Sequence, residues 1–260
     1  MTTFSVRYDD LPFLQTSQTG NHPNRLNWKC EILLTRNREV IENKRILDLA
    51  SHDGRFSYAC LKLGAKHVTG VEARSDLVKK ADENMKRLGF SSQHFTFVND
   101  DLFNFLPGIE FKQFDTVLCF GFFYHTTRQM ELLKEINRAS PEHFILDTWL
   151  AGVLCPPFPE AGQNTLNQWR LFVKLGLEKL MKIQKTPALI FTTENPQREG
   201  ATIDSTGVIA RPTQAFIEMV FTTQHYKFRQ LKWDKKEIKD WTWLEDYKLG
   251  KRVSYLVSLR

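Results

Sequence analysis

Three acids and one histidine stand where short apolar runs end. Asp48 sits in the run Ile46 to Leu49, Glu72 closes His67 to Glu72, Asp101 follows Phe95 to Asn99, and Tyr124-His125 follows Thr116 to Phe120. Apolar runs of this length, bounded by turns, read as buried strands. In an open parallel sheet, ligands bind outside the carboxyl ends of the strands. The acids then share one edge of the sheet and suit a cationic ligand. Histidine as a residue type titrates near neutral pH, and His125 is the candidate to take a proton from a hydroxyl or a ring nitrogen, with Tyr124 lining the same pocket. The alternative for His125 is a cap on the following helix or a brace for its loop.

The turn after the first strand narrows the ligand. The stretch Arg45 to Phe56 runs from strand through a tight turn ending at Gly54 into a helix striped by Phe56, Ala59, Cys60 and Leu63. Where a dinucleotide fold carries Gly-x-Gly-x-Gly, this chain has Ala50, His52 and Gly54. A pyrophosphate needs small residues and a positive helix end there. Bulky His52 and anionic Asp53 would crowd and repel it. S-adenosylmethionine has no phosphate, and its sulfonium and ammonium would be complemented by Asp48, Asp53, Glu72 and Asp101. Glu72 lies about 20 residues past the turn, where such folds hold a ribose by its hydroxyls. Asp53 also has a plain alternative, as a helix cap.

With these stations in place, the sequence resembles the class I S-adenosylmethionine-dependent methyltransferases, clearly over residues 45–150 and more loosely beyond. The family's first motif maps to Asp48 through Gly54, its ribose acid to Glu72, and its adenine-side acid to Asp101 within Phe97-Val98-Asn99-Asp100-Asp101-Leu102. Its fourth-strand motif maps to Phe114-Asp115-Thr116-Val117-Leu118-Cys119-Phe120-Gly121. From Phe114 to His125 the chain looks most like the wobble-uridine tRNA (carboxy)methyltransferases, which carry a similar strand ending in Tyr-His. The departures are Ala50 and His52 at the glycine positions. The resemblance implies S-adenosylmethionine as cofactor. It implies contacts from Asp48, Ala50, Ser51, His52, Gly54, Glu72, Ala73, Asp101, Leu102, Phe120 and Gly121, to which Arg25 is added as a candidate from its place ahead of the first strand.

The elements that must position these residues follow from periodicity. Leu26, Cys30, Leu33, Leu34, Val40 and Ile41 share one helical face, an N-terminal helix laid across the cofactor site. Arg25 and Lys29 near its start either meet a ligand carboxylate or form a solvated helix end. Ser75 is the expected cap of a helix striped by Leu77, Val78, Ala81, Met85 and Leu88, with Gly89 its stop. Met130, Leu133 and Ile136 stripe the next helix, and Phe144 to Asp147 is the fifth strand. Thr213 caps a later helix, and Lys227 to Trp233 and Arg252 to Leu259 alternate as strands. This order predicts an α/β, doubly wound, mostly parallel seven-stranded sheet of Rossmann-like type, with an N-terminal helix and an inserted lid.

At 260 residues, one domain with a sizeable core is expected. It divides into an N-terminal extension and helix (1–44), the cofactor-binding core (45–150), an insertion (151–210), and a helix and strands closing the sheet (211–260). The 42% hydrophobic and 25% charged shares are ordinary for a globular protein. No run approaches a transmembrane span, and residues 1–14 do not read as a secretory signal. The four widely spaced cysteines read as core residues in a reducing, cytoplasmic setting, with no metal-ligand spacing. The net charge of +6 permits nucleic acid without requiring it. Around Trp233, Trp241 and Trp243, lysines are interleaved with acids, which reads as a grip on single-stranded nucleic acid or as a solvated surface with partly buried tryptophans.

The insertion begins with a Pro-rich turn (155–159). It then carries a helix over 165–181 with Trp169 and Phe172 on its apolar face, and two strands, 188–193 and 201–209. It is read either as a lid that builds a small-molecule acceptor pocket or as a structural embellishment. Its basic residues Lys174, Lys179 and Lys182 keep a tRNA acceptor in view. Methyl transfer to a small organic acceptor by direct displacement is the expected reaction. A tRNA-modifying (carboxy)methyltransferase and a non-catalytic cofactor-binding module serving a partner protein are the alternatives.

Overall fold

The computed structural model describes residues 3–151 and 185–259. The Pro-rich turn and the helix expected over 165–181 lie outside the described residues. Nine strands are described. β1 (Arg45–Leu49), β2 (His67–Glu72), β3 (Phe95–Asn99), β4 (Thr116–Phe120), β5 (His143–Trp149), β8 (Lys227–Gln230) and β9 (Arg252–Ser258) form one sheet in the order β3-β2-β1-β4-β5-β9-β8. β1 to β5 pair in parallel, while β9 is antiparallel to both β5 and β8. The seven-stranded, mostly parallel sheet expected from the sequence is therefore present. The order reverses between β1 and β4, and that crevice is where an open α/β sheet binds its ligand.

Alternation along the strands builds a core on each face. Ile46, Leu118, Phe120 and Ile145 pack on one side with Leu26 and Cys30 of α1 (Pro23–Leu33) and with Phe56 and Ala59 of α2 (Arg55–Lys62). Leu47, Val117, Cys119, Phe144 and Leu146 pack on the other. Their partners there are Leu132 and Ile136 of α5 (Gln129–Ala139) and Ile217 and Val220 of α6 (Gln214–Thr223). α3 (Ser75–Arg87) buries Leu77, Ala81 and Met85, and α4 (Leu102–Phe105) begins at Asp101. The N-terminal segment adds core as well as loop: Val6, Tyr8 and Phe13 are buried, and Tyr8 donates its hydroxyl hydrogen to the Arg55 carbonyl (2.7 Å).

Several local expectations shift. Met130, expected in the buried stripe of α5, is exposed, because the buried face runs through Gln129, Leu132, Leu133 and Ile136, and the strand expected over Lys227 to Trp233 ends at Gln230. The helix expected to run unbroken from 26 to 41 stops at Leu33 and resumes as a 3-10 turn over Thr35–Val40. Buried Asn37 donates its side-chain amide to the Ile32 and Leu33 carbonyls (both 3.0 Å), satisfying helix-end carbonyls and turning the chain. Ser75 is the first residue of α3 rather than its cap, a position held by Arg74. The second strand of the insertion starts at Val208, not 201: β6 (Leu189–Thr193) pairs with β7 (Val208–Pro212). The intervening residues are drawn into a turn by Asp204, which accepts from the Thr206 amide and hydroxyl. Thr213 does cap α6, accepting from the Phe216 amide (3.2 Å).

Trp233 and Trp241 pack against the core, Trp233 stacking on Tyr247 at 3.5 Å. Trp243 is half exposed and stacks on His22. Two of the three tryptophans are thus used internally.

Candidate functional site

A cavity of about 930 Å³ opens at the carboxyl ends of β1, β2, β4 and β5. It brings together the predicted residues Arg25, Asp48, Ala50, Ser51, His52, Glu72, Ala73, Asp101, Leu102, Phe120, Gly121, Tyr124 and His125. Of the predicted residues, Gly54 and Asp53 are not on its wall. Gly54 lies behind the turn with φ +80°, where a Cβ would come within 2.9 Å of Phe97 Cζ and 3.2 Å of Ala81 Cβ. Its role is the close approach of α2 to α3 and β3.

The turn from Ala50 to Gly54 takes left-handed backbone angles at all three of the motif's glycine positions, with φ 53° at Ala50 and 56° at His52. Non-glycine residues in that region are strained, which needs compensation from neighbours. Glu72 provides some: one carboxylate oxygen accepts from the His52 amide (3.1 Å) and the other from the Arg74 amide (2.9 Å). Ser51 lines the cavity, but its hydroxyl is buried behind the turn, 2.7 Å from where a Cβ on Gly70 would lie, and no hydrogen-bond partner for it is found among the described residues. Asp48, 2% exposed, accepts from Ser57 (2.7 Å), and burial pushes its carboxyl up to about 7.

Asp53 departs from its cofactor reading. It is fully buried off the cavity wall, where it pairs with Arg55 (2.6 Å) and accepts from Thr16 (2.7 Å). Burial opposes its ionisation, but Arg55 and His52 outweigh this and depress its pKa strongly. The His52 ring lies between Asp53 and Glu199, whose carboxylates raise its pKa against the opposing effect of burial. Glu199, from the loop joining β6 to β7, also accepts from Ser17 (2.6 Å) and the Gln18 amide (2.8 Å).

Beside β5 lies an ion cluster that the sequence did not reveal. Asp147 accepts from Tyr247 (3.0 Å), Ser254 (2.8 Å) and Arg252 (2.9 Å) and pairs with Lys29 at 3.1 Å. Asp246 pairs with Arg252 (2.9 Å) and with both terminal nitrogens of Arg25 (2.8 and 2.9 Å). The solvated helix end weighed for Arg25 and Lys29 therefore does not form. Arg25, committed to Asp246 and the Trp243 carbonyl, is held within the protein. Three cations face two carboxylates, so the cluster presents one surplus positive charge to the cavity. Burial lowers Lys29 to about 8, although Asp147 opposes the shift. Arg252 also donates to the Tyr124 hydroxyl (3.2 Å), whose pKa is raised by burial.

Next to Tyr124, His125 Nδ1 is 2.6 Å from Oε1 of Glu194, a residue just after β6 that sequence reasoning missed. The only hint of Glu194 in the sequence is its position after a strand. The β6–β7 hairpin is held at this place by Gln129, which donates to the Ala210 carbonyl (2.6 Å), and by Arg74, which donates to the Pro196 carbonyl (3.0 Å). Among the described residues no helix is long and apolar enough to cross a membrane.

Comparison with known proteins is concentrated on the same stretch. A family model described as a methyltransferase domain matches residues 46–141. A putative protein N5-glutamine methyltransferase of Methanocaldococcus jannaschii is 36% identical over 87 residues, which cover 34% of this chain and 41% of that protein. The tRNA U34 carboxymethyltransferase of Nautilia profundicola is 28% identical over 102 residues, covering 37% of this chain and 31% of that protein. The matches thus span less than half of either relative's length. Among solved structures, the N-terminal domain of EvdMO1 with SAH bound superposes with a TM-score of 0.57 at 15% identity. That superposition covers 86% of this chain and 77% of the other, a likeness of fold.

Proposed function

We propose that this chain, a member of the class I S-adenosylmethionine-dependent methyltransferases, binds S-adenosylmethionine in the cavity and methylates a small organic acceptor held against His125. The observation that carries the reading is the division of the cavity. Asp48, Glu72 and Asp101 form an acidic side by the β1–α2 turn, and the Lys29–Arg252 cluster forms a cationic side by β5. An amino acid sulfonium has both kinds of charge to offer. In this reading Glu72 takes the ribose hydroxyls, and Asp101 and Leu102 lie by the adenine. The methionine carboxylate is assigned to Lys29 rather than to Arg25, which is already paired in full. When bound, the cofactor supplies an electrophilic methyl group, and the protein's part is to orient the acceptor, exclude water and hold its proton.

Glu72→Ala is expected to weaken S-adenosylmethionine binding roughly ten- to hundredfold, because a charged acceptor is worth about 1.5–3 kcal/mol. Calorimetry on a folded variant with unchanged affinity would remove Glu72 from the ribose contact. Asp48 adds a pH dependence. A carboxyl raised to about 7 is largely protonated below that pH and becomes an anion above it. A cationic ligand prefers the anion, so affinity is expected to climb from pH 6 to pH 8 and then level. In Asp48→Asn the profile should be flat over that range. A wild-type profile already flat would count against Asp48 as a charge partner.

A second reading, carboxymethylation of tRNA, is favoured by the surplus cation of the Lys29–Arg252 cluster beside Tyr124, which would also accept a carboxylate carried on the transferred group. Incubating the protein with labelled cofactor and separate RNA and metabolite fractions tests both readings. Label in the metabolite fraction supports the small acceptor. Label in RNA, with affinity falling steeply as salt rises, overturns it. Mass spectrometry of the product separates methyl from carboxymethyl.

A further inference from the structure

We infer that Glu194 is a positioning residue that holds His125 in the Nδ1–H form and aims Nε2 at the acceptor, and hence that the acceptor loses a proton as it is methylated. The inference rests on the methyltransferase reading above and specifies the acceptor side of that site.

The geometry fixes the direction of the hydrogen bond. A carboxylate has only acceptor oxygens, so at 2.6 Å the Nδ1 of His125 must be the donor. In the neutral ring the remaining nitrogen, Nε2, then carries the lone pair. Among the described residues Nε2 has no hydrogen-bond partner, and His125 lines the cavity. The same Glu194 oxygen also accepts from the Thr202 amide (2.6 Å), which fixes the carboxylate beside the ring.

Glu194 is itself held in place. Its amide donates to the Gly207 carbonyl (2.9 Å), and Gly207, with φ +66°, approaches so closely that a Cβ there would lie 2.3 Å from the Glu194 carbonyl oxygen. On the other side, the His125 amide donates to the Phe122 carbonyl (2.7 Å), and the Tyr124 ring packs at 4.0 Å. Two loops 69 residues apart in sequence are thus locked so that a histidine and a carboxylate meet beside the cavity. An orienting carboxylate behind a histidine is the arrangement that suits a general base.

The chemistry follows. A neutral hydroxyl that attacked a methyl group without losing its proton would become a strongly acidic oxonium. With His125 in place, the O–H bond breaks toward Nε2 and its electron pair stays on oxygen. Oxygen closes the new bond to the methyl carbon while the old carbon–sulfur pair leaves on sulfur. The imidazolium that results is stabilised by Glu194. A protonated ring nitrogen can be served in the same way. A nucleophile with no proton to lose gains nothing from the pair.

The test uses the full chain labelled with ¹⁵N-histidine, with the His125 resonances assigned through His125→Asn. Long-range ¹H–¹⁵N correlation in the ligand-free protein should show His125 as the Nδ1–H tautomer. Glu194→Ala should return it to the Nε2–H form that free neutral imidazole favours. Glu194→Gln keeps an acceptor for Nδ1–H without the charge. It should retain the tautomer while lowering kcat at least roughly tenfold, a part of the roughly 10²–10⁴-fold that the whole base contributes. KM for the cofactor should be unchanged, and Glu194→Asp should recover part of the loss. An Nε2–H tautomer in the wild type overturns the inference, as does full kcat in Glu194→Gln. If S-adenosylmethionine is never turned over, the methyltransferase reading fails, while the tautomer measurement still decides the role of Glu194.

Discussion

His125→Ala is expected to lower turnover roughly 10²–10⁴-fold once an acceptor is in hand, while leaving S-adenosylmethionine affinity nearly intact. The separation follows from where the residue lies. The acids proposed to hold the cofactor are carried by β1, β2 and the start of α4, whereas His125 follows β4 and is tied to Glu194 of the hairpin. Its truncation removes a proton acceptor and a wall of the acceptor space but none of those acids. Single-turnover transfer and calorimetry on the same preparation read the two effects independently. Full activity would exclude His125 from the mechanism. A large loss of cofactor affinity would move it to the cofactor's side of the cavity and leave Tyr124 as the candidate facing the acceptor.

That division was visible in the sequence to the extent that its parts are local. Ile46 to Leu49, His67 to Glu72 and Thr116 to Phe120 are contiguous and apolar, and the residues that matter stand at or just beyond their ends. Strand order then carries Asp48, Glu72, Asp101 and His125 to one crevice. Gly54 was legible as a turn residue but not as one turned away from the cavity, because its contacts with Phe97 and Ala81 come from β3 and α3. Glu194 and the Asp147 cluster were not legible at all. Lys29, Asp147 and Arg252 come from a helix and two strands spread over more than 200 residues, and each alone reads as an ordinary charge. The second insertion strand begins at Val208 rather than 201 because the side-chain hydrogen bonds of Asp204 make a turn before it. Periodicity reports which face is buried; it carries no information on which charges will meet.

The Asp147 cluster makes the largest stability prediction. Asp147 is fully buried, and its two oxygens receive Arg252, Tyr247 and Ser254, with Lys29 as a further ion-pair partner. Removing one member of a buried pair leaves the other charged and unsolvated, so Asp147→Ala is expected to cost about 3–5 kcal/mol. Lys29 would have no carboxylate of its own, and Asp246 would be left to balance Arg25 and Arg252. The pH dependence has a definite sign. Burial alone would raise the Asp147 carboxyl, but Lys29 and Arg252 outweigh it and hold it at about 2. A carboxyl depressed in the folded state contributes its stability above its unfolded pKa of about 3.9. That contribution, roughly 2–3 kcal/mol, is lost as pH falls from about 4 toward 2. Urea unfolding at pH 7 and at steps between pH 5 and pH 2.5 should show this acid limb in the wild type and a shallower one in Asp147→Ala. Adding Lys29→Met to Asp147→Ala should recover part of the lost stability, since it removes the cation left unpaired. If Asp147→Ala unfolds at the same urea concentration as the wild type, the cluster is solvated enough to contribute nothing. The surplus charge assigned to the cavity would then be lost to water.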